Sequence, residues 1–231
     1  MKLTLELPPI PEDKAVRAKV LRRAGHLAYR FRNLPEAERL QRESIALARE
    51  LQDWYTLAGA LSDLGWIRYR QNDKTCAENL LIESMNAARL SGNDWSLANT
   101  LESFGRFRLL EKRFDEAAIF LAESLAISRH KLDKESLARI LLTRVTLELA
   151  RDNVQQATLH AEESLALAQE LDTKPLIALA RSRLGDVATY QEKYEQAQQH
   201  FEASIALAYD LGDASAVTSR QQKLADLTLL Q

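Results

Sequence analysis

A spacing of 40 residues runs through this chain and decides what it can fold into. Ala18, Ala58, Ala98, Ala138 and Ala178 share one register, and Ala37, Ala77, Ala117, Ala157 and Ala197 share another. Ser44, Ser84, Ser124, Ser164 and Ser204 form a third column. Gly25, Gly65, Gly105 and Gly185 form a fourth, broken only by Val145. A fixed period without insertions marks an array of one supersecondary unit, because such a unit cannot bury its apolar face alone and must stack on its copies.

Each unit reads as two helices. Val20, Leu21, Ala24, Leu27 and Ala28 recur at steps of three and four, which predicts a helix over 14–31. Leu40, Ser44, Ile45, Leu47, Ala48 and Leu51 predict a second over 35–52. The link Arg32-Asn33 is too short for anything but an antiparallel hairpin. Gly25 and Ala37 stand twelve apart, one on each helix, where helices packing about 8–10 Å apart need small side chains. Gln52-Asp53, Gly92-Asn93-Asp94, Asp172-Thr173 and Gly212-Asp213 carry stop and cap signals, and Pro175 suits a first helical turn. The expected layout is an extended connector over 1–13, where Pro8, Pro9 and Pro11 oppose helix, then an array over 14–231. Its hairpins are 14–54, 55–95, 96–134, 135–174 and 175–214, closed by a capping helix over 215–231.

Chemistry is harder to find. The four histidines, His26, His130, His160 and His200, do not converge with other reactive groups. His160 and His200 share a column, so a helix-packing distance of about 8–10 Å separates them, against metal–ligand bonds of about 2 Å. Glu36 with Glu38, and Glu162 with Glu163, read as solvated. Cys76, the one cysteine, excludes an internal disulfide and reads as a small buried hydrophobe. No G-x-x-x-x-G-K-[ST] nucleotide loop occurs. A net charge of −2 gives no general attraction to nucleic acid or an anionic membrane. No apolar run approaches the roughly 18 residues of a membrane span, and Met1–Pro11 lacks the marks of a signal peptide. The expectation is a cytoplasmic protein that is not an enzyme, with no cofactor, no metal, and neither nucleic acid nor membrane as partner.

Leu64-Gly65 with Ala77, Leu184-Gly185 with Ala197, and Phe104-Gly105 with Ala117 resemble the tetratricopeptide repeat family, in a variety longer than its usual period of about 34. Glu163-Ser164-Leu165-Ala166-Leu167-Ala168 and Glu43-Ser44-Ile45-Ala46-Leu47-Ala48 resemble the C-terminal sensor arrays of bacterial STAND signal-transduction ATPases. The resemblance covers roughly 18–225. It implies an all-α fold, a right-handed α-solenoid of five antiparallel helix hairpins plus a C-terminal capping helix, with first helices lining a concave face. The chain departs from the family at Val145, expected to alter packing in its hairpin, and at Arg68, Arg108 and Glu148, where the family often has tyrosine or alanine.

Charge separates along that division. Taken together the first-helix segments are net positive, most densely over 14–32, which holds seven basic residues and no acidic one; 135–152 is neutral, and each second-helix segment is net negative. By resemblance, the groove positions are Arg22, His26, Tyr29 and Arg30, then Trp66, Tyr69 and Arg70, then Asn99, Glu102 and Arg106. Arginine and aromatic residues together are the types that dominate binding hot spots. The corresponding later positions, Leu109, Leu110, Leu142 and Leu149, are apolar and are expected to hold apolar side chains of a ligand. The implied function is a non-catalytic protein- or peptide-binding segment, the sensing part of a bacterial signalling regulator, taking an acidic or extended peptide. A metabolite- or sugar-sensing domain and a self-associating scaffold are the alternatives. A clamp for a terminal carboxylate is disfavoured, since its positions hold Arg22, His26, Asp63, Asn99 and Ser103, and Asp63 would repel that carboxylate.

Overall fold

The structure, a computed structural model, describes residues 13–229. Among them are eleven helices and no strand. They are α1 (Lys14–Arg30), α2 (Leu34–Glu50), α3 (Trp54–Arg70), α4 (Lys74–Leu90), α5 (Asp94–Leu110), α6 (Phe114–His130), α7 (Lys134–Ala150), α8 (Val154–Glu170), α9 (Lys174–Tyr190), α10 (Tyr194–Asp210) and α11 (Ala214–Thr228). None is long and apolar enough to cross a membrane. The connector expected over 1–13 lies outside the described residues except for Asp13, whose carboxylate caps α1 through the Ala15 N–H at 2.8 Å. The chain forms two compact units that meet between Phe107 and Arg108, inside α5. Within each, successive helices pair as hairpins and hairpins stack on hairpins.

Every link between helices is three residues long, and the middle residue of each has a positive φ, between 47° and 67°. The geometry therefore repeats every 20 residues, at half the sequence period. After α1, the Arg32 N–H donates to the Tyr29 carbonyl at 3.0 Å and the Asn33 N–H to the Ala28 carbonyl at 2.9 Å, which satisfies the last carbonyls of the helix. At several links the third residue then caps the next helix, as Asp53 does for the Thr56 N–H at 3.0 Å and Asp133 for the Ser136 N–H at 3.1 Å, whereas Arg113, Asn153, Thr173 and Lys193 make no side-chain cap bond. Only Gly92 and Gly212 use glycine at the middle position; Leu132 holds φ 55° with a side chain that is 81% exposed. Leu132→Gly is expected to raise stability by about 0.5–1 kcal/mol, the cost of a left-handed leucine less the added freedom of the unfolded chain. A urea midpoint that rises for glycine but not for Leu132→Ala would establish it.

The serine and alanine columns meet across the hairpins α1–α2, α3–α4, α7–α8 and α9–α10. Ser44 Oγ donates to the Ala18 carbonyl at 2.7 Å, Ser84 to Ala58 at 2.7 Å and Ser164 to Ala138 at 2.9 Å, and Ser204 bonds Ala178 in the same way. All of these groups are buried, so each serine fixes the register of its pair of helices. The glycine column chiefly makes room for the residue sixteen places on, rather than for the alanine twelve places on. A Cβ at Gly25 would lie 2.7 Å from Gln41 Nε2, at Gly65 3.0 Å from Leu81 Cγ, and at Gly185 2.5 Å from the Phe201 ring; the alanine column comes close at Gly65, 3.4 Å from the Ala77 carbonyl. Val145 breaks the glycine column without disturbing the hairpin, because its partner sixteen places on is Ala161. The two are fully buried in one cluster with Ala157 and Val187. The bulk has moved from the second helix to the first.

Candidate functional site

All ten groove positions fall in the first unit, on α1, α3 and α5. Arg22, His26, Tyr29 and Arg30 lie on one stripe of α1 because steps of three and four residues return to one side of a helix. The 40-residue period carries that side to Trp66, Tyr69 and Arg70 on α3, and to Asn99, Glu102 and Arg106 on α5.

The structure joins these residues in short clusters between neighbouring first helices. His26 Nδ1 lies 3.2 Å from Asp63 Oδ1, and Asp63 Oδ2 accepts from Gln41 Nε2 at 3.3 Å. Gln41 is fully buried and also donates to the Arg22 carbonyl at 3.0 Å. The Arg70 guanidinium lies over the Tyr29 ring, 5.0 Å from its centroid, and the Arg106 guanidinium over Trp66 at 4.3 Å. Trp66 Nε1 donates to Ser103 Oγ at 2.7 Å, and Tyr69 meets the edges of both Trp66 and Phe107 with centroids 5.7 Å apart. A guanidinium lying flat on a ring gains from the quadrupole of the ring and still presents N–H donors at its edge. Arg22 is half-buried and Arg30 exposed, and neither has an ion-pair partner among the described residues. Asn99 donates to the Trp95 carbonyl of its own helix at 2.7 Å, and Glu102 is half-buried on α5.

Gly59 and Ser103 belong to the site although the groove pattern did not select them. A Cβ at Gly59 would come 2.5 Å from Arg22 Nη1, so this glycine lets the Arg22 guanidinium lie against α3. Its signal in the sequence is a mid-helix glycine outside the glycine column. Four expectations need correction. Leu109 and Leu142 are buried core residues of the second unit and cannot receive ligand side chains. Of their companions, Leu110 is exposed and Leu149 half-buried. Cys76 is half-buried, in the first turn of α4. Glu38 is not merely solvated, since it pairs with Arg42 at 2.9 Å and with Arg68.

Among the described residues, no three His, Cys, Asp or Glu side chains come together as a metal site would require. His160 is buried and His200 half-buried, and burial holds both imidazoles below the usual histidine range.

Residues 16–71 and 106–189 match the family model described as anaphase-promoting complex subunit 5, a tetratricopeptide-like family. These segments make up more than half of the chain. The chain belongs to the anaphase-promoting complex subunit 5 family. Comparison with curated proteins finds no match. Solved structures share the fold of this family member. BtubC (BKLC) from P. vanneervenii is 18% identical with a TM-score of 0.65, over 85% of this chain and 91% of that one. A Rap protein complexed with competence and sporulation factor is 10% identical with a TM-score of 0.69, over 94% of this chain and 65% of that one. The signal transduction ATPase with numerous domains from Pyrococcus horikoshii, which carries a tetratricopeptide repeat sensor, is 12% identical with a TM-score of 0.61. That match covers 94% of this chain and 38% of the larger protein. The comparisons indicate no enzymatic family.

Proposed function

We propose that the chain is a protein-binding repeat domain, the sensing segment of a bacterial signalling regulator, and that the first-helix face of its first unit takes an acidic, extended peptide. The observation that carries this reading is the ladder of arginine on aromatic rings, Arg70 on Tyr29 and Arg106 on Trp66, beside Arg22 and Arg30, which lack carboxylate partners among the described residues. Guanidinium groups of this kind favour carboxylates or phosphates, and the rings add contact area at low entropic cost. Neighbouring first helices pack about 8–10 Å apart. Every third residue of an extended peptide advances about 10 Å, so such a peptide matches the ladder step for step. Support by likeness comes from the Rap protein, whose structure holds competence and sporulation factor, and from the ATPase whose tetratricopeptide segment is called a sensor.

The test is titration of a fluorescent ten-residue peptide rich in glutamate and aspartate at low salt. Replacing Arg22, Arg30 and Arg70 with alanine together is expected to weaken binding at least tenfold, about 1.4 kcal/mol or more. Unchanged affinity at low salt would reject the reading.

A further inference from the structure

One face of α3, α7, α9 and α11 is covered by the second helix of the hairpin before it. On α3 the covered residues are Thr56, Ala60 and Ile67, on α7 Ser136, Ile140 and Leu147, and on α9 Leu176, Ala180 and Val187, all buried. The equivalent residues of α1 are Val16, Val20 and Leu27. Val16 is 46% exposed and Leu27 38%, Val20 is half-buried, and Phe31 just beyond is 65% exposed. This face is at least as apolar as the copies buried inside the array. An outer face of a helical array that meets only water should be polar. The open face of α11 is of that kind, with exposed Thr218, Gln221 and Thr228 where α1 has buried Ala18, Leu21 and Ala28.

Charge narrows what could cover α1. Exposed Lys19, Arg23 and Arg30 flank the apolar stripe, and no acidic residue lies within 14–32. A second copy docking through the same face would set two such surfaces against each other, at an electrostatic cost. Inside the chain α2, α6, α8 and α10 are net acidic, and two of them supply carboxylates to the helix they cover. Glu38 of α2 pairs with Arg68 of α3, and Asp115 of α6 with Arg151 at the end of α7. We infer that the exposed face of α1, formed by Val16, Val20, Leu27 and Phe31, docks an acidic amphipathic helix of a protein partner, in the manner of this chain's own second helices. The surface shares Arg30 at its edge with the proposed peptide site but none of the stacked pairs Arg70–Tyr29 and Arg106–Trp66.

The probe is a fluorescein-labelled synthetic peptide of residues 154–170, the α8 sequence, which carries three glutamates and no lysine or arginine. Anisotropy with the full chain is expected to show saturable, salt-sensitive binding. Val20→Glu with Leu27→Glu should weaken it at least tenfold, and the more exposed Phe31→Asp should weaken it severalfold without threatening the fold. Arg70→Ala with Arg106→Ala should change it less than twofold. Equal binding of a scrambled peptide, no binding at 100 micromolar, about 10⁻⁴ M on the affinity scale, or loss only in the ladder variant would overturn the proposal. So would a dimer in sedimentation that Leu27→Glu dissociates, which would give the face to a second copy. A tenfold gain in peptide affinity on replacing Leu3, Leu5 and Leu7 with serine would give it to the chain's own N-terminal residues and overturn it equally.

Discussion

Gly185→Val is expected to cost about 2–4 kcal/mol of stability. Even the first carbon of the new side chain would sit 2.5 Å from the Phe201 ring, well inside van der Waals contact. The ring is buried in a cluster with Ala188, Ala197 and Leu227, so it has little room to retreat. Overpacking of this kind costs about 1–3 kcal/mol or more, and the improved helix propensity returns only a few tenths. Phe201→Ala alone should cost about 3–5 kcal/mol through the cavity it leaves. Combining the two recreates the arrangement of Val145 and Ala161, so the double variant should be more stable than the sum of the single losses predicts by about 2 kcal/mol or more. Urea denaturation of the four proteins measures that coupling, and strictly additive losses would show that the size exchange is not what keeps the fourth hairpin packed.

Glu148→Ala should cost about 2 kcal/mol. Glu148 is buried and accepts from Arg144 Nη2 at 3.1 Å and from Asn153 Nδ2 at 3.1 Å. Removing one member of a buried ion pair leaves the other charge uncompensated, typically at about 3–5 kcal/mol. Two features reduce the figure here. Arg144 keeps some contact with water, and Asn153, which does not cap α8 through its side chain, would regain an amide able to do so. Replacing both members, as Glu148→Leu with Arg144→Met, should therefore be far less harmful than the single alanine, and denaturation midpoints at neutral pH compare them directly. Acid adds a second check through His160, whose lowered pKa keeps it neutral in the folded chain. The stability drawn from that neutrality is complete above the ordinary histidine value of about 6.5 and is lost as the pH falls from there toward the lowered folded value. The nearby Glu148 carboxylate favours the charged imidazole, so without it the midpoint should fall more steeply between pH 7 and 5.

The paired helices could be read directly from the chain because the columns are contacts. A serine that bonds an alanine carbonyl in the other helix, or a glycine that admits the side chain sixteen places on, must recur wherever the same pair recurs. The links were less legible. Their middle residues include Arg32, Lys112, Leu132 and Glu192, which carry none of the glycine or asparagine signature of a left-handed residue. The conformation is imposed by the two helix ends that meet there. For the candidate site, register alone placed Arg22, Trp66 and Arg106 on successive helices facing one way. It could not show that Arg106 lies on Trp66, which depends on side-chain torsions, or that Gly59 makes the space for Arg22. Register also misplaced Leu142, which shares a column with Arg22. A charged side chain in that column reaches outward along its alkyl stem, whereas a leucine turns in and joins the core.

The uniform three-residue joints leave one matter to be settled elsewhere in the molecule. A joint after α1 and a joint after α2 bend the backbone in the same way, so nothing in the connections distinguishes an odd-numbered rod from an even-numbered one. Parity is held by what the rods present to one another, above all a hydroxyl to an alanine carbonyl, which occurs within a pair. Excising a single inner rod would leave connections free of strain and yet set beside a neighbour a rod that lacks the hydroxyl or the alanine carbonyl of the one removed.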